Sequence, residues 1–178
     1  MNRAISTTTA VVVLIGAVAT GCGGSTKPVA PRPPSTGASA SGQDSTHAAV
    51  VAAYTAMWSD YSTDLLTANW QNPISANHAT GQALQTIENA LAVDRHHGWI
   101  GKGSPVPHPV VKSLTMVPPE SAEVVDCVDL SRALLYVAAT GKLKDSTPGG
   151  WHLVDAGLVM KDGEWKVSTL AMGKAGSC

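Results

Sequence analysis

The sequence predicts an α+β domain in which N-terminal helices pack on one face of a curved antiparallel sheet. Three observations carry this. Residues 50–91 place apolar side chains at helical spacing, residues 110–172 alternate apolar with polar, and turn residues interrupt the second half every 8 to 15 positions. Helices first and strands afterwards is an α+β order.

The first helix follows from Val50, Val51, Tyr54, Met57, Trp58, Tyr61 and Leu65, which trace one helical face. Ser45 or Thr46 is expected to cap its start, and Asn69 with Pro73 puts its end near Ala68. A second helix is predicted over residues 80–97, where Ala83, Leu84, Ile87, Ala90 and Leu91 share a face and Gly98 stops the chain. Trp99 and Ile100 then sit on a loop, and Gly101, Gly103, Pro105, Pro107 and Pro109 mark an irregular crossing. Strands are predicted at 110–117, 122–130, 134–140, 151–160 and 165–172, with Pro118-Pro119 as one turn. Asp162-Gly163 between the last two strands is a tight hairpin signal.

Composition excludes several functions. The 178 residues are 44% hydrophobic and 14% charged with a formal charge of −1, so no basic stripe exists to neutralise nucleic-acid phosphates. Three cysteines without paired CxxC spacing make neither a disulfide-dense scaffold nor a structural zinc site. No HExxH, GxSxG, P-loop or GxGxxG motif is present, and nothing calls for a cofactor.

The first segment is an address. Arg3 supplies a short positive start, and residues 10–19 form an apolar run too short to span a bilayer. The run ends at Ala19-Thr20-Gly21-Cys22, which resembles the bacterial lipobox. That resemblance implies a signal peptide over residues 1–21, a two-chain lipid on Cys22, and a mature protein anchored at the extracytoplasmic face of the cell membrane. The usual Leu three positions before the Cys is Ala19 here. The alternative is cleavage near Ala19 with Cys22 left as a free thiol. With Cys22 lipidated, Cys127 and Cys178 are an even pair able to form one disulfide in an oxidising compartment, against a reading as two buried thiols.

Residues 22–45 read as a linker. Between Gly23 and Thr46, 19 of 24 residues are Gly, Pro, Ser, Thr or Ala, and a flexible coil of that length spans about 25 to 30 Å. The remaining domain, residues 46–178, keeps nine basic against twelve acidic residues, a net of about −3, which argues against adhesion to anionic lipid by overall charge.

The helix with Tyr54 and Trp58, Thr80-Gly81-Gln82-Ala83-Leu84, Val124-Val125-Asp126-Cys127 and Asp162-Gly163-Glu164-Trp165-Lys166-Val167 together resemble exported NTF2-like (cystatin-like α+β) domains. The resemblance covers about residues 46–178. It implies a sheet wrapped around helices to leave a conical pocket, and a bridge between Cys127 and Cys178. Family members range from isomerases and cyclases to binding modules.

A pocket of that kind would draw on Tyr54, Trp58, Tyr61, Asp126, Tyr136 and Asp155. Asp126 and Asp129 fall on opposite faces of a regular strand, so at most one points inward. An inward carboxylate would be the base of a pocket enzyme; a solvated one is the plainer reading. His96 and His97 diverge on a helix and make a poor chelating pair, while His108 and His152 read as surface residues. No catalytic residue and no metal ligand is assigned. The expected function is a non-catalytic binding or interaction module for a small hydrophobic ligand or an envelope protein, with a pocket enzyme or a purely structural module as alternatives.

Overall fold

The computed structural model describes residues 37–144 and 146–178, and its compact unit is Thr36–Cys178. The expected signal peptide, lipidation site and most of the linker lie outside the described residues. The architecture is α+β: two helices, α1 (Gly37–Leu65) and α2 (Gly81–His97), pack with two antiparallel sheets. The strands are β1 (Trp99–Lys102), β2 (Val110–Thr115), β3 (Ser121–Asp129), β4 (Leu134–Val137), β5 (Trp151–Lys161) and β6 (Glu164–Met172). The main sheet is open, in the order β2-β3-β5-β6, and β1 pairs with β4 in a separate two-stranded sheet.

α1 starts eight residues before Ser45, taking in the last part of the stretch read as linker. Ser45 and Thr46 do not cap it. Their hydroxyls donate back to the Gly42 carbonyl at 2.8 and 3.0 Å, as these side chains do inside a helix. Residues 42–45 are exposed, and no apolar period marks residues 37–45 in the sequence. At the other end the chain leaves the helix through Ala68 at φ 48°, with the Asn69 N–H donating to the Asp64 carbonyl.

Two acidic residues near that end hold the next segment. The buried Asp64 carboxylate accepts the Ile74 N–H at 2.8 Å, the Ser75 N–H at 2.9 Å and the Ser75 hydroxyl, while Asp60 meets His78 Nδ1 at 2.7 Å. These contacts fix a 3-10 turn, Ile74–Asn77, against α1. α2 starts and stops close to where Thr80 and Gly98 predicted, and Gly98 takes the left-handed conformation.

Trp99–Lys102 is a strand rather than a loop, because its backbone pairs with β4 from Trp99↔Val137 to Lys102↔Leu134. Gly101 is required there: a Cβ would sit 2.8 Å from Leu65 Cβ. β4 stops at Val137, short of the predicted Thr140, since the chain turns back and the Gly141 N–H donates to the Val137 carbonyl. The β5–β6 hairpin forms at Asp162-Gly163, both at positive φ, as that dipeptide predicts.

Helices cover one face of the main sheet. Val50, Tyr54, Met57, Trp58 and Leu65 of α1 and Ala83, Ile87 and Leu91 of α2 meet Val124, Val128, Val154, Leu158, Val167 and Leu170 in one core. The β6 edge is closed as well. The Gln82 side chain accepts the Leu170 N–H at 2.7 Å and donates to the Leu170 carbonyl at 3.2 Å, and Thr80 and His78 bond to Val167. Cys127 on β3 and Cys178 lie at disulfide distance, S–S 2.16 Å, on the uncovered side. No helix among the described residues is long and apolar enough to cross a membrane.

Candidate functional site

Strand parity divides the predicted site residues. Along β3, Val124, Asp126 and Val128 point toward the helices and are buried, while Glu123, Val125 and Cys127 face the other way. Tyr54 and Trp58, one helical turn apart on α1, face the same interior, their rings edge to face at 6.3 Å. Tyr61 continues that row, 6.1 Å from Trp58.

Three of the six predicted pocket residues therefore form one buried cluster: Tyr54, Trp58 and Asp126, exposed 0, 4 and 2%. One Asp126 oxygen accepts the His108 N–H at 2.6 Å. The other oxygen, the Tyr54 hydroxyl and Trp58 Nε1 have no hydrogen-bonding partner in the structure. Burial pushes the Tyr54 hydroxyl well above its ordinary range, and the negative charge of Asp126 adds to that. The space is occupied by these side chains and Met57, so the conical pocket expected around them is filled.

Tyr61 borders this cluster through its ring contact with Trp58, and Tyr136 and Asp155 lie apart. Burial, reinforced by the negative charge of Asp94, raises the Tyr61 hydroxyl, and burial holds Asp94 above the usual carboxylate range against the pull of Lys144 and His97. Tyr136 is on the two-stranded sheet, with Lys102 Nζ 4.6 Å from its ring centroid. Asp155 pairs with Val125 across β3 and β5 and faces away from the helices, exposed. It belongs to a different site.

That site is a groove of about 610 Å³ across the uncovered face of the main sheet. Asp155, Glu123 and Lys112 supply charge, Gln82 and Thr169 supply hydrogen-bonding groups, and Val125 and Ala171 supply an apolar floor. Gly157 deepens the centre because it carries no side chain; a Cβ there would meet Thr169 Oγ1 at 2.5 Å. The β5–β6 register shifts beside it, and Thr169 Oγ1 accepts the Gly157 N–H at 3.0 Å. Sequence reasoning named Asp155 here and missed Lys112, Glu123 and Gln82. The alternation of β3 placed Glu123 on the same face as Val125, but Lys112 is brought in by a register shift between Val111 and Ser113.

The remaining candidates have structural partners. His152 places both ring nitrogens 2.8 Å from carbonyls, those of Gly173 and Gly149, and the His108 ring stacks on Trp151. The Ser131 hydroxyl and N–H beside Asp129 hold that carboxylate below its usual range. No group of three or more His, Cys, Asp or Glu among the described residues is placed to hold a metal ion. The groove thus offers charge and hydrogen bonds over an apolar floor.

The chain matches no protein-family model and no curated protein sequence. Among solved structures it is similar to the intermembrane space region of the chloroplast protein ARC6, at 13% identity, with 69% of this chain and 97% of that one covered and a TM-score of 0.46. That likeness is too slight to transfer a fold or a function.

Proposed function

We propose that this chain is an exported lipoprotein, anchored through Cys22, whose NTF2-like domain is a non-catalytic module that docks a segment of another envelope protein. The observation that carries this reading is the contrast between the filled interior and the groove on the opposite side of the sheet. Asp126, the carboxylate that a pocket enzyme would use as a base, is sealed among Tyr54, Trp58 and the His108 backbone. The groove is lined by exposed Lys112, Glu123, Asp155, Thr169 and Ala171. A groove this open does not enclose most of a small ligand's surface, as small-molecule sites do, and suits a chain segment laid across it. The Cys127–Cys178 pair at disulfide distance accords with an exported setting.

A photo-crosslinking residue at Ala171 of the full-length protein, irradiated in its own membrane, tests the reading. The expected product is a discrete adduct with one other protein, reduced severalfold by Asp155→Asn with Glu123→Gln while the melting temperature holds. An adduct only of small-molecule mass, or none, defeats protein docking in the groove.

A further inference from the structure

The net charge of about −3 over residues 46–178 hides a segregation that the fold creates. Five of the nine basic residues in 46–178, namely Arg95, Lys102, Arg132, Lys142 and Lys144, belong to the last turn of α2, to β1 and to the chain around β4, and all five are exposed. The acidic residues of the same stretches are Asp94, which is buried, Asp129, engaged with Ser131, and Asp145, outside the described residues.

Aromatic side chains lie beside three of these cations, Arg95, Lys102 and Lys144. Leu66, Trp70 and Ile74, exposed 52, 43 and 41%, follow the end of α1. Trp70 and Arg95 line one hollow of about 240 Å³, where Arg95 Nη1 donates to the Thr67 carbonyl at 3.4 Å. Further along, His97 stacks on Trp99 at 4.3 Å, and Lys144 Nζ lies 4.2 Å from the centroid of the same ring. Cations with indoles and apolar loop residues are the pairing that suits an anionic bilayer: the cations meet headgroup phosphates and the indoles sit at headgroup depth.

We propose that this end of the domain rests on an anionic lipid surface, as a second membrane contact besides the N-terminal lipid. Delivery to the membrane rests on the Cys22 reading; the contact itself does not. α1 is about 43 Å long for its 29 residues. The fifteen residue steps from Cys22 to Gly37 reach at most about 50 Å, which allows the far end of the domain to return to the leaflet that holds the anchor.

The test uses the mature chain with Cys22→Ser, so that no acyl chain contributes. Its flotation with vesicles of phosphatidylglycerol and phosphatidylcholine is compared with phosphatidylcholine alone, at low and high salt. Binding should be at least about tenfold stronger on the anionic vesicles and should fall with salt, losing about fivefold for each cation removed. Arg95→Glu with Lys102→Glu should abolish that preference, and Trp70→Ser should weaken binding, with melting temperatures retained because all three side chains are exposed. Equal binding to both vesicles, binding to neither, or an unchanged charge-reversed variant overturns the proposal. Acyl labelling of Cys22 in the native protein is a separate readout, so loss of the anchor reading and loss of the surface contact are distinguishable.

Discussion

The two faces of β3 are one residue apart in sequence and chemically opposite. On the inner face Asp126 is walled in by Tyr54 and Trp58, and on the outer face Glu123 joins Asp155 in an exposed groove. All three are carboxylates on strands. What separates a locked group from an available one is strand parity, together with the decision of which face the helices cover. The inner face is packed into the core and the outer face stays exposed.

Substitutions should respect that division. The largest effect is expected from Trp58→Ala, which removes a 4% exposed aromatic from the centre of the core and should cost about 3 to 5 kcal/mol in urea unfolding. A loss below about 1 kcal/mol would mean that the interior is not filled as described. Next is Cys178→Ser. A bridge between Cys127 and Cys178 would span 51 residues and tie the C-terminal tail to the outer face, and its removal should cost about 2 to 4 kcal/mol by loop-closure entropy. Thermal melts with and without reductant check it: reductant should destabilise the parent and leave the variant unmoved.

Much of this division was legible from residue order. Val154, Ala156 and Leu158 alternate with Asp155 and Gly157, so the side of the sheet on which Asp155 falls follows from parity alone. Asp162-Gly163, Thr80 and Gly98 marked boundaries through local backbone chemistry, which is why those positions came out close. Other features depend on partners distant in sequence. β1 looked like a loop because of Gly101, whose missing side chain makes room for Leu65, 36 positions earlier. Asp64 carries no local signal that it will bind the backbone of Ile74 and Ser75, and Lys112 enters the groove through a register shift. The predicted pocket combined residues from both faces because aromatic and acidic types were chosen before parity was applied to all of them.

A smaller effect sharpens the comparison from the inside. Tyr54 is fully buried and its hydroxyl has no hydrogen-bonding partner, so Tyr54→Phe should change stability by less than about 1 kcal/mol at neutral pH. Alkali is different. Burial raises the ionisation of Tyr54 in the folded state above the ordinary tyrosine value of 10.0, so above that pH the unfolded chain releases a proton that the folded chain keeps. Stability is therefore fully present below pH 10.0 and falls as pH rises further, by about 1.4 kcal/mol per pH unit for each such tyrosine. Tyr61, raised by burial and by Asp94, should contribute a second share of the same sign. Urea unfolding at stepped alkaline pH should show Tyr54→Phe losing stability more slowly than the parent by about one tyrosine's share. Parallel curves would place the Tyr54 hydroxyl in water, and the interior of this domain would then be open where the packing of Met57, Trp58 and Asp126 says it is closed.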